Sequence, residues 1–180
     1  MEALRQARRD IADIDARMLL QHVLNVNHAY LLAHPEQKLT TEQTQAFYLL
    51  TERRALGEPV AYLTGNREFY SLEFNVTPAV LIPRPETELL IDLALARIPP
   101  HSRCRILDLG TGSGAIALTL ARHRPLAEIT AVDVSAAAVA VANANAARFN
   151  LNNVRVIEAD WFEGVAGESF DLIVSNPPYV

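Results

Sequence analysis

The chain contains a single cysteine, Cys104, so it cannot form an internal disulfide bond. Its five histidines are scattered without ligand spacing, which excludes a Cys/His zinc framework, and we expect no metal site. Long apolar runs are also missing, because none reaches the roughly 18 residues that a membrane span needs. The first residues lack the apolar core of a signal peptide, so we expect a cytoplasmic protein that does not contact a membrane.

The chain also lacks an excess of positive charge. It has 16 Lys and Arg residues against 21 Asp and Glu residues, which gives a net charge of −5. The basic residues occur in small groups, such as Arg53 and Arg54, and form no stripe. A protein that contacts many phosphates usually presents a basic face. We therefore expect no direct nucleic-acid substrate.

Residues 1–68 have the periodicity of helices. Asp10 is placed to cap a helix, Thr40 and Gln43 fit a capping box, and Gly57 is a plausible helix stop. The first of these helices is expected to bury Ile11, Ile14, Met18, Leu20, Val23 and Leu24. The helix after Thr40 is expected to bury Ala46, Phe47 and Leu50. This pattern predicts a small helical bundle and, by itself, no function.

From Tyr70 to Thr77 the hydrophobic residues recur at every second position, alternating with polar ones. This alternation predicts a half-buried strand, and we expect a hairpin and linker over residues 69–82. Beyond it, segments with strand and helix character alternate. The predicted helices are 88–98, 115–122 and a third that Ser135 caps and that runs to about residue 149; the predicted strands are 105–109, 129–133, 154–159 and 170–175. Such alternation predicts an α/β fold whose parallel sheet carries helices on both faces.

A glycine-rich loop, Gly110-Thr111-Gly112-Ser113-Gly114, follows the first of these strands. Glycines let the backbone approach a ligand closely, and the next helix presents its N-terminus there. The second strand ends in Asp133, where a carboxylate can accept hydrogen bonds from both hydroxyls of a ribose. These residues predict a nucleoside site. Because Gly110, Gly112 and Ala115 also fit the dinucleotide fingerprint, they leave a methyl donor and a nicotinamide cofactor both open.

Asp160 and Trp161 follow the third strand. An acid beside an aromatic ring can hold an adenine by hydrogen bonding and stacking. The alternative is a buried tryptophan that only covers the end of the sheet. The sequence leaves both interpretations open at this point.

The fourth strand ends in Asn176-Pro177-Pro178-Tyr179. The Asn176 side chain and the Pro177 carbonyl each offer an acceptor, and together they suit a planar NH₂ group. The ring of Tyr179 can lie against that group or near a sulfonium cation. An amide nitrogen is a poor nucleophile. Hydrogen bonds to both of its N–H groups would orient it toward the methyl group of a donor.

In this order, the glycine loop and Asn-Pro-Pro-Tyr resemble class I methyltransferases that modify planar nitrogens. Two further segments narrow the resemblance: the connector Leu81–Glu88, with the sequence LIPRPETE, and Gly57–Gly65, with the sequence GEPVAYLTG. With them, the whole chain resembles the PrmC/HemK family, the release factor glutamine methyltransferases.

The resemblance implies a helical substrate-docking domain over residues 1–68 and a Rossmann-like methyltransferase domain over residues 83–180. It implies methyl transfer from S-adenosylmethionine to the glutamine of the Gly-Gly-Gln motif in class 1 release factors, with S-adenosylhomocysteine as product. The residues that it assigns to the cofactor are Gly110, Thr111, Gly112, Ser113, Gly114, Asp133, Trp161 and Asn176. Those assigned to the substrate are Asn176, Pro177, Pro178 and Tyr179, with Asn176, Pro177 and Tyr179 as the catalytic set.

Three other functions are compatible with parts of this pattern. An adenine methyltransferase acting on nucleic acid would use the same site residues, and a non-catalytic docking module would use only the helical part. A nicotinamide-dependent oxidoreductase would have no use for Asn-Pro-Pro-Tyr. The family fold has seven strands in its sheet, whereas four are counted here. We therefore expect this chain to lack the C-terminal part of the domain.

Overall fold

Within residues 2–177, which the computed structural model describes, the chain divides into two units, Met1–Gly65 and Asn66–Val180. The described part of the first unit is helical. Its helices are α1 (Glu2–Ala7), α2 (Asp13–Leu24), α3 (His28–Ala33), α4 (Thr41–Ala55) and α5 (Val60–Thr64). Their buried core consists of Leu4, Ala7, Ala16, Leu19, Leu20, Leu31, Phe47 and Leu63.

The predicted limits of α4 are confirmed. Thr40 Oγ1 accepts a hydrogen bond from the Gln43 backbone N–H at 3.2 Å, and the Gln43 side chain accepts one from the Thr40 backbone N–H at 3.0 Å. Gly57 follows the last turn with a φ of +97°, a conformation that glycine adopts without strain. Phe47 is buried as expected, whereas Ala46 is exposed.

The predicted start and buried face of α2 are wrong in part. Asp10 does not cap the helix, because its backbone N–H donates to the Ala7 carbonyl in the turn that ends α1. Ile14 and Met18, which we expected to be buried, are 67% and 43% exposed. The buried residues of α2 are Ala16, Leu19 and Leu20. An ion pair between Asp15 and Arg54 of α4, at 2.8 Å, joins α2 to α4.

The second unit begins with an antiparallel hairpin of β1 (Asn66–Phe69) and β2 (Leu72–Asn75). Tyr70 and Ser71 form the turn, with φ values of +50° and +63°, so the predicted strand begins two residues too early. Two carboxylates hold this turn, although it contains no glycine: Glu88 accepts from the Tyr70 N–H at 3.0 Å, and Glu68 accepts from the Ser71 N–H at 2.6 Å.

The rest of the described second unit is an α/β fold with a four-stranded parallel sheet, which confirms the predicted fold class. A 3-10 turn at Pro85–Thr87 leads into α6. The elements are α6 (Glu88–Arg97), β3 (Arg105–Leu109), α7 (Ala115–His123), β4 (Glu128–Asp133), α8 (Ala136–Arg148), β5 (Val154–Glu158) and β6 (Leu172–Ser175). The strand order in the sheet is β5-β4-β3-β6. No described helix has the length and apolar character needed to cross a membrane.

The fourth strand of this sheet, β6, starts two residues later than predicted. Phe170 lies instead under the Arg105 guanidinium, 5.0 Å from the ring centre, and the Asp171 carboxylate accepts from the Arg105 backbone N–H at 2.8 Å. These contacts join the loop before β6 to the start of β3. Strand pairing then begins at Leu172, opposite Ile106.

Candidate functional site

The candidate site lies at the carboxyl ends of the parallel strands. The chain runs from β3 outward to β4 and β5, and then returns to place β6 on the other side of β3. Ligands of open α/β sheets bind at such a reversal of strand order. The glycine loop, Asp133, Asp160 and Asn176 follow or end β3, β4, β5 and β6, respectively. The fold therefore brings the four sequence motifs to one edge of the sheet.

The glycine loop after β3 is held by backbone hydrogen bonds to the end of β4. The Thr111 N–H donates to the Val132 carbonyl at 2.9 Å, and the Gly112 N–H donates to the Asp133 carboxylate at 2.8 Å. Gly112 has a φ of +57°, and a Cβ atom added there would meet no atom within 4 Å. The backbone at Gly112 thus faces open space, where a ligand can approach it directly.

Gly114 serves a different purpose from Gly112. It precedes α7 with a φ of +82°, and a Cβ atom there would lie 2.8 Å from Leu118 Cδ1 and 3.4 Å from the Ala142 Cβ. Gly114 is therefore required for the close packing of the loop against α7 and α8.

Asp133 connects the glycine loop to the start of α8. One carboxylate oxygen accepts from Gly112, and the other accepts from the Ser135 N–H at 3.0 Å. A carboxylate has about four acceptor positions, so further hydrogen bonds remain available to a ligand. Ser135 in turn caps α8, since its hydroxyl accepts from the Ala138 N–H at 3.3 Å.

Asp108 is a completely buried carboxyl group under the glycine loop. Its Oδ2 accepts hydrogen bonds from the Thr111 hydroxyl at 2.7 Å and the Ala117 N–H at 3.2 Å, while no protein group in the described part of the chain bonds its Oδ1. Burial raises the pKa of Asp108 to about 6, and the nearby charge of Asp133 adds to the increase. The hydrogen bonds from Thr111 and Ala117 oppose it.

A cavity of about 400 Å³ opens beside Asp133, which is within the usual range of about 300–1,000 Å³ for ligand pockets. Its walls include Gly110, Gly112, Asp133, Val134, Ala138, Asp160, Trp161, Asn176 and Pro177. Trp161 is 54% exposed, so the alternative of a buried tryptophan covering the sheet is wrong. Its φ of +44° is unusual for a bulky residue and holds it beside this cavity. We call this space the donor cavity.

A second cavity of about 450 Å³ adjoins the first at Asn176. It is lined by Leu81, Arg84, Glu86, Thr87, Leu90, Asn176 and Pro177, and we call it the acceptor cavity. Leu81, Asn176 and Pro177 line both cavities. The Asn176 side chain therefore stands at the boundary between them.

Asn176 is fixed through both its backbone and its side chain. Strand β6 pairs with β3 up to Ser175, opposite Leu109, and the Ser175 hydroxyl donates to the Leu109 carbonyl at 2.9 Å. The Asn176 side-chain NH₂ donates to the Thr87 hydroxyl at 3.0 Å. These contacts hold the amide at the end of the sheet.

The structure places the sequence-predicted residues in different settings. Gly110, Gly112, Asp133, Trp161, Asn176 and Pro177 line the donor cavity. Thr111 and Ser113 are buried, and with Asn176 they line a narrow space between the loop and Arg84. Gly114 faces α7, as described above. Pro178 and Tyr179 lie outside the described residues, so their predicted roles remain predictions.

Sequence reasoning assigned no function to three side chains that support the site: Asp108, Thr87 and Asn145. An acidic residue ending a buried strand was a signal for Asp108. Asn145 continues the helical spacing of the buried Ala138 and Ala142, which marked it as a buried polar residue. Thr87 had no signal beyond its place in the connector. No group of three or more His, Cys, Asp or Glu side chains within residues 2–177 is arranged to hold a metal ion.

Two family models match the chain. The model described as "Methyltransferase small domain" matches residues 86–180, and the "PrmC N-terminal domain" matches residues 1–65. Together they cover most of the sequence, and the first includes Asp133, Trp161 and Asn176.

Named relatives match over nearly the whole chain. The release factor glutamine methyltransferase of Salmonella typhimurium is 52% identical over 180 residues, which cover 99% of this chain and 65% of the relative. The protein of that name from Escherichia coli is 52% identical over 166 residues, 92% of this chain and 60% of the relative. The chain thus spans a little under two thirds of these relatives.

The fold also matches solved structures. A SAM-dependent methyltransferase from Agrobacterium tumefaciens aligns with a TM-score of 0.54 and 22% identity, over 63% of this chain and 39% of that chain. At this identity the likeness shows a common fold, the Rossmann-like α/β arrangement expected from the sequence.

Proposed function

Because the chain belongs to the methyltransferase small-domain family, we propose that the protein transfers a methyl group from S-adenosylmethionine to the side-chain amide nitrogen of a glutamine. The observation that carries this proposal is the position of Asn176, whose side chain lies at the boundary of the donor and acceptor cavities. A group at that boundary can orient the atom that receives the methyl group.

The residues of the donor cavity fit S-adenosylmethionine. Cβ atoms at Gly110 and Gly112 would occupy open space, so the backbone can lie against a ligand. Asp133 has acceptor positions for ribose hydroxyls, and the exposed Trp161 ring offers a face for the adenine. When bound, the donor supplies a methyl group attached to a positively charged sulfur, which makes that carbon electrophilic.

The acceptor side requires orientation more than acid–base chemistry. The lone pair of an amide nitrogen is delocalised, so the chain must hold the NH₂ group in a reactive position. We propose that Asn176 Oδ1 and the Pro177 carbonyl each accept a hydrogen bond from one of its two N–H groups. Positioning of this kind is worth several kcal/mol, up to roughly 7–11 in ideal cases. No side chain needs to deprotonate the amide beforehand, because its nitrogen becomes acidic as the N–C bond forms; the C–S bond breaks to leave S-adenosylhomocysteine, and the proton passes to solvent water.

We propose the glutamine of the Gly-Gly-Gln motif in class 1 release factors as the substrate. The support is the name of the relatives, release factor glutamine methyltransferase, together with the match of residues 1–65 to the PrmC N-terminal domain. We assign the helical unit to docking of the release factor. A substrate of the translation machinery would place the protein in the cytoplasm.

The test is incubation of the intact protein with isotopically labelled S-adenosylmethionine and a purified release factor, followed by mass spectrometry of the tryptic peptides. We expect one labelled methyl group on the glutamine of Gly-Gly-Gln, and much less with Asn176→Ala. A parallel incubation with DNA should remain unlabelled. Labelled adenine in the DNA, or a release factor that stays unlabelled, would contradict the proposal.

A further inference from the structure

Thr87 lies in the connector segment, and its hydroxyl contacts the Asn176 side chain. We propose that Thr87 is a positioning residue that holds the Asn176 amide with its oxygen toward the acceptor. This inference rests on the acceptor role proposed for Asn176. It is carried by the hydrogen bond from Asn176 Nδ2 to Thr87 Oγ1 at 3.0 Å, which joins residues 89 positions apart in sequence.

The ordinary role of a threonine at this position is helix capping, and the structure excludes that role. Thr87 occupies the N-cap position of α6, where threonine side chains usually accept a hydrogen bond from the first turn. Its φ and ψ of −70° and −18° are helical, because the 3-10 turn runs directly into α6, and its side chain makes no capping bond. The hydroxyl is therefore directed to Asn176 instead.

The backbone around Thr87 is conformationally restricted, so the position of its hydroxyl is well defined. Pro83 is buried, Pro85 starts the 3-10 turn, and the Thr87 N–H donates to the Arg84 carbonyl at 3.0 Å. Prolines restrict φ, so this segment has few alternative conformations. On the other side, the hydrogen bond from Ser175 to Leu109 fixes the backbone that leads to Asn176.

The direction of the amide decides whether it attracts or repels the acceptor group. With Nδ2 turned to Thr87, Oδ1 is the end left for a substrate, and no donor among residues 2–177 occupies it. A half-turn of the amide would present its NH₂ group to the NH₂ group of the substrate, donor against donor. A hydroxyl can donate or accept, so the substrate NH₂ group is what disfavours the turned arrangement, and the Thr87 hydroxyl holds the first one by accepting from Nδ2.

The test compares Thr87→Val, which has nearly the same shape but no hydroxyl, with Thr87→Ser, which keeps the hydroxyl. With a Gly-Gly-Gln peptide as acceptor, Thr87→Val should lower kcat about three- to tenfold, the worth of one neutral hydrogen bond. The dissociation constant for S-adenosylmethionine should stay within twofold. Thr87→Ser should restore most of kcat, which a purely steric role would not predict.

Two further measurements separate positioning from general damage. In an Asn176→Ala background, Thr87→Val should have no additional effect on kcat, since the bond is already gone. In the NMR spectrum, the Asn176 side-chain amide signal, identified by its loss in Asn176→Ala, should shift in Thr87→Val and return in Thr87→Ser.

The positioning role of Thr87 can be rejected by either measurement. Equal losses of kcat from Thr87→Val with and without Asn176, or an amide signal that Thr87→Val leaves unmoved, would overturn the positioning role. If the wild-type protein methylates no glutamine while the amide signal still responds to Thr87→Val, the proposed function fails and the hydrogen bond stands.

Discussion

The side chain of Asn145 and the backbone of Asn75 exchange two hydrogen bonds. Asn145 Oδ1 accepts from the Asn75 N–H at 2.8 Å, and Asn145 Nδ2 donates to the Asn75 carbonyl at 3.0 Å. The same Nδ2 also donates to the Ser113 carbonyl at 2.9 Å. A single buried amide on α8 therefore joins the hairpin to the glycine loop of the candidate site.

We predict that Asn145→Ala lowers the free energy of unfolding by about 3 kcal/mol. The carbonyl of buried Ser113 and two half-buried backbone groups of Asn75 would lose their partner, and a buried polar group left unsatisfied costs roughly 1–3 kcal/mol. Urea denaturation followed by circular dichroism measures the change. Asn143→Ala, at an exposed position of the same helix, is the matched control and should stay within about 0.5 kcal/mol of wild type. Equal effects of the two substitutions would show that the Asn145 hydrogen bonds do not stabilise the fold.

For the donor cavity, we predict that Asp133→Ala weakens binding of S-adenosylmethionine by about ten- to a hundredfold. Hydrogen bonds to a charged group are worth roughly 1.5–3 kcal/mol, and this carboxylate also holds the Gly112 N–H. Calorimetry gives the affinity. Glu128→Ala, which removes an exposed carboxylate at the other end of β4, should leave affinity unchanged. Tighter binding of NAD than of S-adenosylmethionine to the wild-type protein would contradict the donor assignment.

The raised pKa of Asp108 predicts a loss of stability as pH rises from about 4 to about 6. The ordinary pKa of this carboxyl is 3.8, so between the two values it is charged in the unfolded chain and protonated in the folded one. Folding then binds a proton, which makes the folded state less favourable at higher pH. At about 1.4 kcal/mol for each pH unit between these values, the penalty reaches roughly 3 kcal/mol.

The measurement for Asp108 is the free energy of unfolding of wild type and Asp108→Asn across this pH window. The asparagine cannot ionise, so the difference between the two proteins should change by about 3 kcal/mol from pH 4 to pH 6 and then level off. Glu128→Gln, which alters an exposed carboxyl at the other end of β4, serves as the control and should leave the change assigned to Asp108 in place. A constant difference between wild type and Asp108→Asn would mean that Asp108 titrates normally.

Asn176→Ala should reduce methyl transfer about a hundred- to a thousandfold while changing donor affinity far less. Loss of an oriented hydrogen-bonding group at a reacting atom costs roughly 2.7–4 kcal/mol, by analogy with an oxyanion site. Single-turnover methylation of a release factor measures the rate, and calorimetry measures donor binding.

Asn176→Asp provides the comparison for Asn176→Ala, because it retains an acceptor of similar shape and adds a negative charge near the sulfonium. We expect it to keep part of the activity and to bind the cationic donor at least as well as wild type. Near-normal transfer by Asn176→Ala would show instead that Asn-Pro-Pro-Tyr is only a turn that ends β6.

Nucleic acid should bind weakly and without sequence preference. The chain carries a net charge of −5, and binding that releases few counterions from phosphates is weak at physiological salt. Fluorescence anisotropy with labelled duplexes in 150 mM salt, on the order of cellular ionic strength, is the measurement. Nanomolar binding of one sequence over others would favour an adenine methyltransferase.

The sequence was most informative where a residue's conformation depends on its neighbours in the chain. Local hydrogen bonds and the spacing of hydrophobic residues were enough to predict the capping box of Thr40 and Gln43, the cap at Ser135 and the alternating elements after residue 88. All of these are present. Periodicity failed for α2, because Ile14 and Met18 have helical spacing yet face solvent. The buried face of a short helix depends on its packing partners, which the sequence pattern alone does not reveal.

In the candidate site, too, residues marked by local sequence patterns were found, and residues defined by long-range contacts were missed. The glycine loop, Asp133 and Asn176 could be found because each follows a predicted strand, and parallel strands bring such residues together. Thr87 could not be found in this way, because its hydroxyl bonds a residue 89 positions later. The Tyr70–Ser71 turn was missed for a related reason: it has no glycine or asparagine, and the Glu88 carboxylate on α6 holds it.

Thr87 and Glu88 are consecutive residues with different partners. The Thr87 hydroxyl holds the Asn176 amide, and the Glu88 carboxylate holds the Tyr70 backbone in the hairpin turn. One peptide unit therefore carries two anchors, so the hairpin and the acceptor cavity share a mechanical link. An engineer who reshapes the acceptor cavity around Thr87 therefore works one residue away from the carboxylate that holds the hairpin turn.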